Sequence, residues 1–133
     1  VEVLAPHSAF PDDIQAQFRI NLDDNGDTQV INVRNPDHAV VGKITFEPEG
    51  SVGWHTHPGP AIVLVAQGAV TIIDGSDCVE RVYEAGQAFV DPGRGHVHLG
   101  FNASETNETV VYVTFLDVPA GEPATVPADD PGC

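Results

Sequence analysis

Apolar residues in this chain alternate with polar ones, or run unbroken for short spans, and turn-forming residues separate the stretches. Alternation of period two places side chains on opposite faces of a strand, whereas a helix needs apolar positions three and four apart. The pattern predicts strands at Thr28–Arg34, Ala39–Glu47, Val52–His57, Ala61–Ala66, Ala69–Asp74, Val79–Tyr83, Gln87–Asp91, His96–Phe101 and Glu108–Leu116. Gln67-Gly68 reads as a two-residue hairpin turn, and Asp74-Gly75-Ser76-Asp77 as a second turn. Short strands recurring every ~8–12 residues with turns between them predict an all-β sandwich or barrel. The ends differ. Residues 1–20 read as a short irregular segment with one helical turn around Pro11–Phe18, and residues 118–133, rich in Pro and acid, as an extended tail. The organisation expected is one domain over residues 1–133, with its core at about 28–117.

Composition sharpens this picture. Val, Ile and Thr number 34 against 5 Leu, and β-branched side chains favour pleated strands over helices. Asp and Glu number 20 against 5 Lys and Arg, a formal charge of −15. A surface of that sign repels phosphate backbones and anionic headgroups, which excludes nucleic-acid and membrane-surface roles. Apolar runs such as Ala61–Ala66 fall far short of the ~20 residues of a membrane-spanning helix. No methionine is present, even at position 1, which predicts trimming from a longer precursor. The two cysteines, Cys78 and Cys133, predict a disulfide and an extracellular or periplasmic location.

Four of the six histidines form two His-x-His pairs, His55/His57 and His96/His98. Residues i and i+2 of a strand share a face, so each pair projects two imidazoles from one side. If both strands belong to one barrel, the rings converge inside it, and imidazole is the commonest ligand for Fe, Cu, Ni and Zn. His7 and His38 lie beside Pro6 and Pro36-Asp37 and read as solvated loop residues.

The stretch Gly50-Ser-Val-Gly-Trp-His55-Thr-His57-Pro-Gly-Pro-Ala61, running on to Gly68, resembles the first motif of the cupin superfamily. Gly86-Gln-Ala-Phe-Val-Asp-Pro92, followed by Gly-Arg-Gly-His96-Val-His98-Leu-Gly-Phe-Asn102, resembles the second, with one extra residue between Pro and His. The resemblance implies a double-stranded β-helix, the cupin jelly-roll barrel, with metal inside. It implies His55, His57 and His98 as histidine ligands. Where the family carries a Glu, this chain has Ala61, so the resemblance implies a nitrogen-only site suited to Fe, Cu, Ni or Zn, with Mn less favoured.

Other residues receive shorter readings. His96 is expected to look inward, as a fourth nitrogen ligand, as a nearby acid or base, or as a hydrogen-bonded core residue. Arg94 is either a carboxylate clamp at the barrel mouth or the partner of a neighbouring acid. Trp54 is expected to point away from the metal, Phe89 and Phe101 to fill the barrel, and Asn102 to hydrogen-bond backbone in a turn.

The function expected is that of a metal-dependent enzyme, dioxygenase-like or Lewis-acid, acting on a small organic molecule. Non-catalytic extracellular metal (copper) buffering and metal-free small-ligand binding are the alternatives. By resemblance, pairing through sheet edges makes a homodimer plausible, although the charge opposes close association.

Overall fold

The computed structural model describes residues 1–21 and 28–133. Twelve strands and no helix appear among them: β1 (Glu2–Ala9), β2 (Gln15–Asn21), β3 (Thr28–Arg34), β4 (His38–Phe46), β5 (Ser51–Thr56), β6 (Ala61–Gln67), β7 (Ala69–Asp74), β8 (Glu80–Glu84), β9 (Ala88–Asp91), β10 (His98–Phe101), β11 (Thr109–Val118) and β12 (Val126–Pro127). One five-stranded antiparallel sheet runs β1-β4-β11-β6-β9 and a second β12-β5-β10-β7-β8, with β2 and β3 as a separate ribbon. This is the all-β jelly-roll architecture expected.

Strand parity builds the core. On β11, Thr109, Val111, Val113 and Phe115 are buried, whereas Val110, Tyr112 and Thr114 are not. On its neighbour β6, Ala61, Val63 and Val65 are buried and Leu64 faces solvent. Val40 and Phe46 of β4 and Val70 of β7 join the same cluster. Each buried Val or Phe contributes ~1.5–3 kcal/mol relative to exposure, so this inward set supplies the main cohesion between the sheets.

The expected irregular N-terminus with a helical turn at Pro11–Phe18 gives way to two strands. β1 pairs with the edge of β4 (Glu2 opposite Lys43, Ala9 opposite His38), satisfying backbone groups that an open edge would leave unpaired. Gln15, Gln17 and Arg19 alternate with Ala16, Phe18 and Ile20, a period of two that the helix-start signal of Pro11 obscures, and β2 pairs with β3 along its whole length. The tail is extended but not free. β12 pairs with β5, and Cys133 is disulfide-bonded to Cys78 across 55 residues. Such a bond fits an oxidising compartment and restrains a loop of that size by ~2–4 kcal/mol. Among the described residues no helix is long and apolar enough to cross a membrane.

Two glycines let the motif loops meet. A Cβ on Gly93 (φ 61°) would lie 2.0 Å from the Gly59 carbonyl oxygen, and one on Gly59 would lie 2.3 Å from that of Leu116. Only bare backbone permits this approach, which the Arg94 N–H reinforces by donating to the His57 carbonyl at 2.7 Å. The loop after β5 is thereby locked to the loop after β9.

Candidate metal centre

His55 sits near the end of β5 directly opposite His98, the first residue of β10. His57 follows two residues after His55 and keeps its facing. The three rings converge, with centroids 4.3 Å apart for His55–His98, 4.9 Å for His55–His57 and 5.4 Å for His57–His98. One nitrogen from each lies within 4.8 Å of the others, and all three residues are buried. This is the geometry of a group that can hold one metal ion.

Backbone carbonyls orient two of the rings. Nδ1 of His55 lies 2.8 Å from the Gly53 carbonyl oxygen and Nδ1 of His57 2.8 Å from that of Ala124. A carbonyl only accepts, so each Nδ1 carries the proton and each Nε2 is left to the centre. Burial, with repulsion from His98 next, lowers the His55 pKa from 6.5 to about 4. A neutral, desolvated imidazole is the form that binds metal.

Beside the three rings stands a carboxylate that sequence reasoning missed. Asp91, 5% exposed, ends β9 and directs Oδ2 to Nε2 of His98 at 2.8 Å and Nε2 of His57 at 3.0 Å. Its Oδ1 accepts the Gly93 N–H at 2.9 Å, which fixes the carboxyl plane. Burial alone would raise the Asp91 pKa, but the hydrogen bonds and charges of His57 and His98 outweigh it and hold the carboxyl well below its usual range. Asp91 lies opposite Ala61 in the β6–β9 pairing. Ala61 is fully buried, and a carboxylate from the adjacent strand thus reaches the centre beside it. The group that can hold a metal is the three histidines, and Asp91 adjoins it through hydrogen bonds to two of its rings. The available signal was parity: Asp91 shares a strand face with Phe89, which was expected to face inward.

The group opens on a cavity of about 260 Å³ walled by Val, Ile and Phe side chains of both sheets, including Phe46, Phe89 and Phe115. His55, His57, Asp91, His98 and Thr125 supply its polar wall. No Lys or Arg lines it among the described residues.

His96 is not part of this group. β10 begins only at His98, because Gly93, Arg94 and Gly95 all take positive φ and curl the preceding loop, so strand alternation does not extend back to His96. The ring lies in an outer groove with Asp74, Ser76, Arg94 and Pro131, which corrects the inward expectation. Arg94 is paired with its neighbours: its guanidinium donates to the Asn32 carbonyl at 2.6 Å and meets Asp117 at 3.5 Å. Phe101 is corrected too. With His98 and Gly100 facing inward, parity turns it outward, and it lines no part of the cavity. Trp54 lies off the cavity as expected, and Phe89 lines it. Asn102 is structural: its Nδ2 donates to the carbonyls of Asn107 at 2.7 Å and Glu47 at 3.1 Å. His7 is exposed on β1 against the Glu122 carbonyl, and His38 is half-buried at the start of β4 beside Asp37, so both stand on strands rather than in the loops expected.

A family model described as a cupin domain matches residues 42–115, more than half of the chain and both histidine motifs. The chain belongs to the cupin family. Among curated proteins, (R)-mandelonitrile lyase from Granulicella tundricola is 32% identical over 65 residues, covering 47% of this chain and 50% of that enzyme. The match therefore spans about half the length of that relative. Among solved structures, an oxalate oxidase superposes with a TM-score of 0.57 at 23% identity, covering 86% of this cupin and 55% of the oxidase. The polyketide cyclase RemF from Streptomyces resistomycificus gives 0.55 at 20% identity, covering 70% and 64% of the two chains. A cupin domain from Bordetella pertussis gives 0.51 at 22%, covering 75% and 92%. At such identities the likeness speaks for the fold alone.

Proposed function

We propose that this cupin is a metal-dependent enzyme acting on a small, neutral, largely apolar organic molecule. His55, His57 and His98 hold one divalent transition metal, and Asp91 serves as a fourth ligand or as the adjoining base. The observation that carries this reading is the placement of three converging imidazoles and one carboxylate on the wall of an otherwise apolar cavity. The residues fit a cation. Both ring nitrogens of His57 face oxygen acceptors, Ala124 O and Asp91 Oδ2, so the geometry calls for positive charge at Nε2, either a second ring proton or a metal ion.

When bound, the metal would supply Lewis acidity toward an oxygen or nitrogen atom of the substrate. The protein supplies the rest. The cavity exceeds the ~150 Å³ that admits a benzene-sized molecule. With no Lys or Arg in the wall and a carboxylate already present, it favours a neutral substrate over a carboxylate. Asp91 Oδ2, on the cavity wall beside His57 and His98, is the carboxylate oxygen placed to take a proton from the substrate and return it. The partial likeness to mandelonitrile lyase supports bond cleavage with proton transfer, since mandelonitrile is itself a neutral aromatic molecule. The triad without Asp91 also suits a dioxygenase, which is the second reading. The disulfide supports placement in an oxidising, extracytoplasmic compartment.

The test begins with metal-free protein reconstituted separately with Mn, Fe, Co, Ni, Cu and Zn. Mandelonitrile cleavage is followed by aldehyde absorbance, and oxygen uptake is followed on neutral aromatic substrates. Metal-dependent turnover lost in His98→Ala and Asp91→Asn supports the reading. Oxygen uptake without cleavage selects the dioxygenase reading; tight metal binding with no turnover selects a binding role; no binding of any ion refutes the metal centre.

A further inference from the structure

The tail crosses the mouth of the barrel next to the imidazole group. Its Ala124 carbonyl accepts from Nδ1 of His57 at 2.8 Å, and Thr125 Oγ1 lies 3.5 Å from the same nitrogen while lining the cavity. The next residues form β12, which pairs Val126 with Thr56 and Pro127 with His55, and the Ala128 N–H donates to the Trp54 carbonyl at 3.0 Å. Pro131 packs on Gly75, and Cys133 closes on Cys78 just after β7. Besides the disulfide, the tail is held by Ala124 packed against the core, by the Glu122 carbonyl facing His7 Nε2 at 2.9 Å and by the two-residue β12, and both cysteines are exposed. His57 therefore owes its ring orientation to a distant segment whose far end is fastened by one accessible covalent bond.

We propose that segment 119–133 is a positioning element for His57, held in place by the Cys78–Cys133 disulfide, and that opening this bond loosens His57 and weakens metal binding. In the opening step a dithiol passes two electrons and two protons to the pair, giving two cysteine thiols and one oxidised dithiol. The S–S bond breaks and no backbone bond changes. Released from its anchor, β12 frays from the outer edge of its sheet, and the Ala124 carbonyl leaves Nδ1. His57 then loses the partner that fixes its Nδ1–H form. Removing such a partner costs about 10–100-fold in metal affinity in comparable sites.

The inference rests on the proposed metal centre only for its affinity readout, so the experiment reads the ring as well. Protein is reduced with a phosphine, which takes up the oxygen of water as its oxide. It is then alkylated at both thiols and desalted, so that neither thiol nor reductant competes for metal. At pH 8, NMR follows exchange of the His57 Nδ1 proton in metal-free protein, amide exchange follows Ala128 against β4 and β11, and Co(II) titration follows affinity. The expected result is at least tenfold faster exchange of the His57 Nδ1 proton and the Ala128 amide, unchanged protection of β4 and β11, and about tenfold or greater weakening of Co(II) binding. Unchanged exchange at His57 overturns the proposal, as does loss of protection throughout the barrel, which would make the disulfide a support for the whole fold. Faster exchange at His57 with no Co(II) bound by either form upholds the positioning role and refutes the metal centre instead. The Cys78→Ser/Cys133→Ser double variant must repeat the reduced pattern; His57 exchange at the oxidised rate in that variant contradicts it.

Discussion

The sharpest consequence of the Asp91 geometry appears in metal-free protein. Asp91→Asn keeps the shape of the side chain and an oxygen for the Gly93 N–H, yet removes the charge that both His57 and His98 address. Charge-assisted hydrogen bonds contribute ~1.5–3 kcal/mol each, and removing one member of a buried charged set costs ~3–5 kcal/mol. At 5% exposure solvent does little to screen this loss. The substitution is expected to lower the unfolding free energy by about 3–5 kcal/mol at pH 7 with chelator present. Urea unfolding followed by the single tryptophan, Trp54, measures it. The pH dependence has a definite sign. The carboxyl is depressed in the folded state, so its stabilisation is complete above the unfolded value near 4 and is lost as pH falls through the folded value. The gap between wild type and variant should hold from pH 7 to about 5 and narrow below about 4. A variant within about 0.5 kcal/mol of wild type at pH 7 would refute the argument, as would a gap that persists unchanged to pH 3.

Three further outcomes follow from other parts of the structure. His55, with its pKa lowered to about 4, stays neutral in the fold while the unfolded chain protonates near 6.5. It therefore withdraws up to about 3 kcal/mol of metal-free stability between those values as pH falls, at 1.36 kcal/mol per unit; a His55→Gln variant with the same pH slope would contradict this. Gly93→Ala drives a Cβ to 2.0 Å from the Gly59 oxygen and should prevent folding or lower Tm by more than about 10 °C. Gly95→Ala (φ 90°), with open space around the new Cβ, should cost only the ~1–2 kcal/mol of left-handed strain, and thermal unfolding showing equal losses would refute the packing argument. Co(II) titration should show His98→Ala losing at least about 100-fold in affinity while His7→Ala stays within about twofold; equal effects would remove His98 from the centre.

What the sequence disclosed follows the physics of each segment. Thr28–Arg34 and Ala69–Asp74 appear with the expected bounds, because β-branched alternation ends there at strong turn signals. His55 and His57 were legible as a pair for the same reason, since period two fixes their shared face. His96 misled because alternation holds only inside a strand, and three consecutive positive-φ residues postpone the start of β10 to His98. β1 escaped notice because most of its side chains are exposed, and its strand character comes from backbone pairing with β4. Asp91 is the instructive omission. Parity with Phe89 marks its face, but a lone acid beside a proline acquires its meaning only when β9 pairs with β6 and brings it opposite Ala61.

The central claim is that rings from two separate motifs, with Asp91 beside them, grip one cation. The most direct measurement is a crystal structure of protein loaded with one equivalent of Zn(II) or Co(II), with anomalous data collected at the absorption edge of the bound metal. The account predicts one anomalous peak per chain, ~2.0–2.3 Å from the Nε2 atoms of His55, His57 and His98, with an Asp91 oxygen bonded to the ion or adjoining it. A peak elsewhere, or those three rings turned away from a common point, would contradict it.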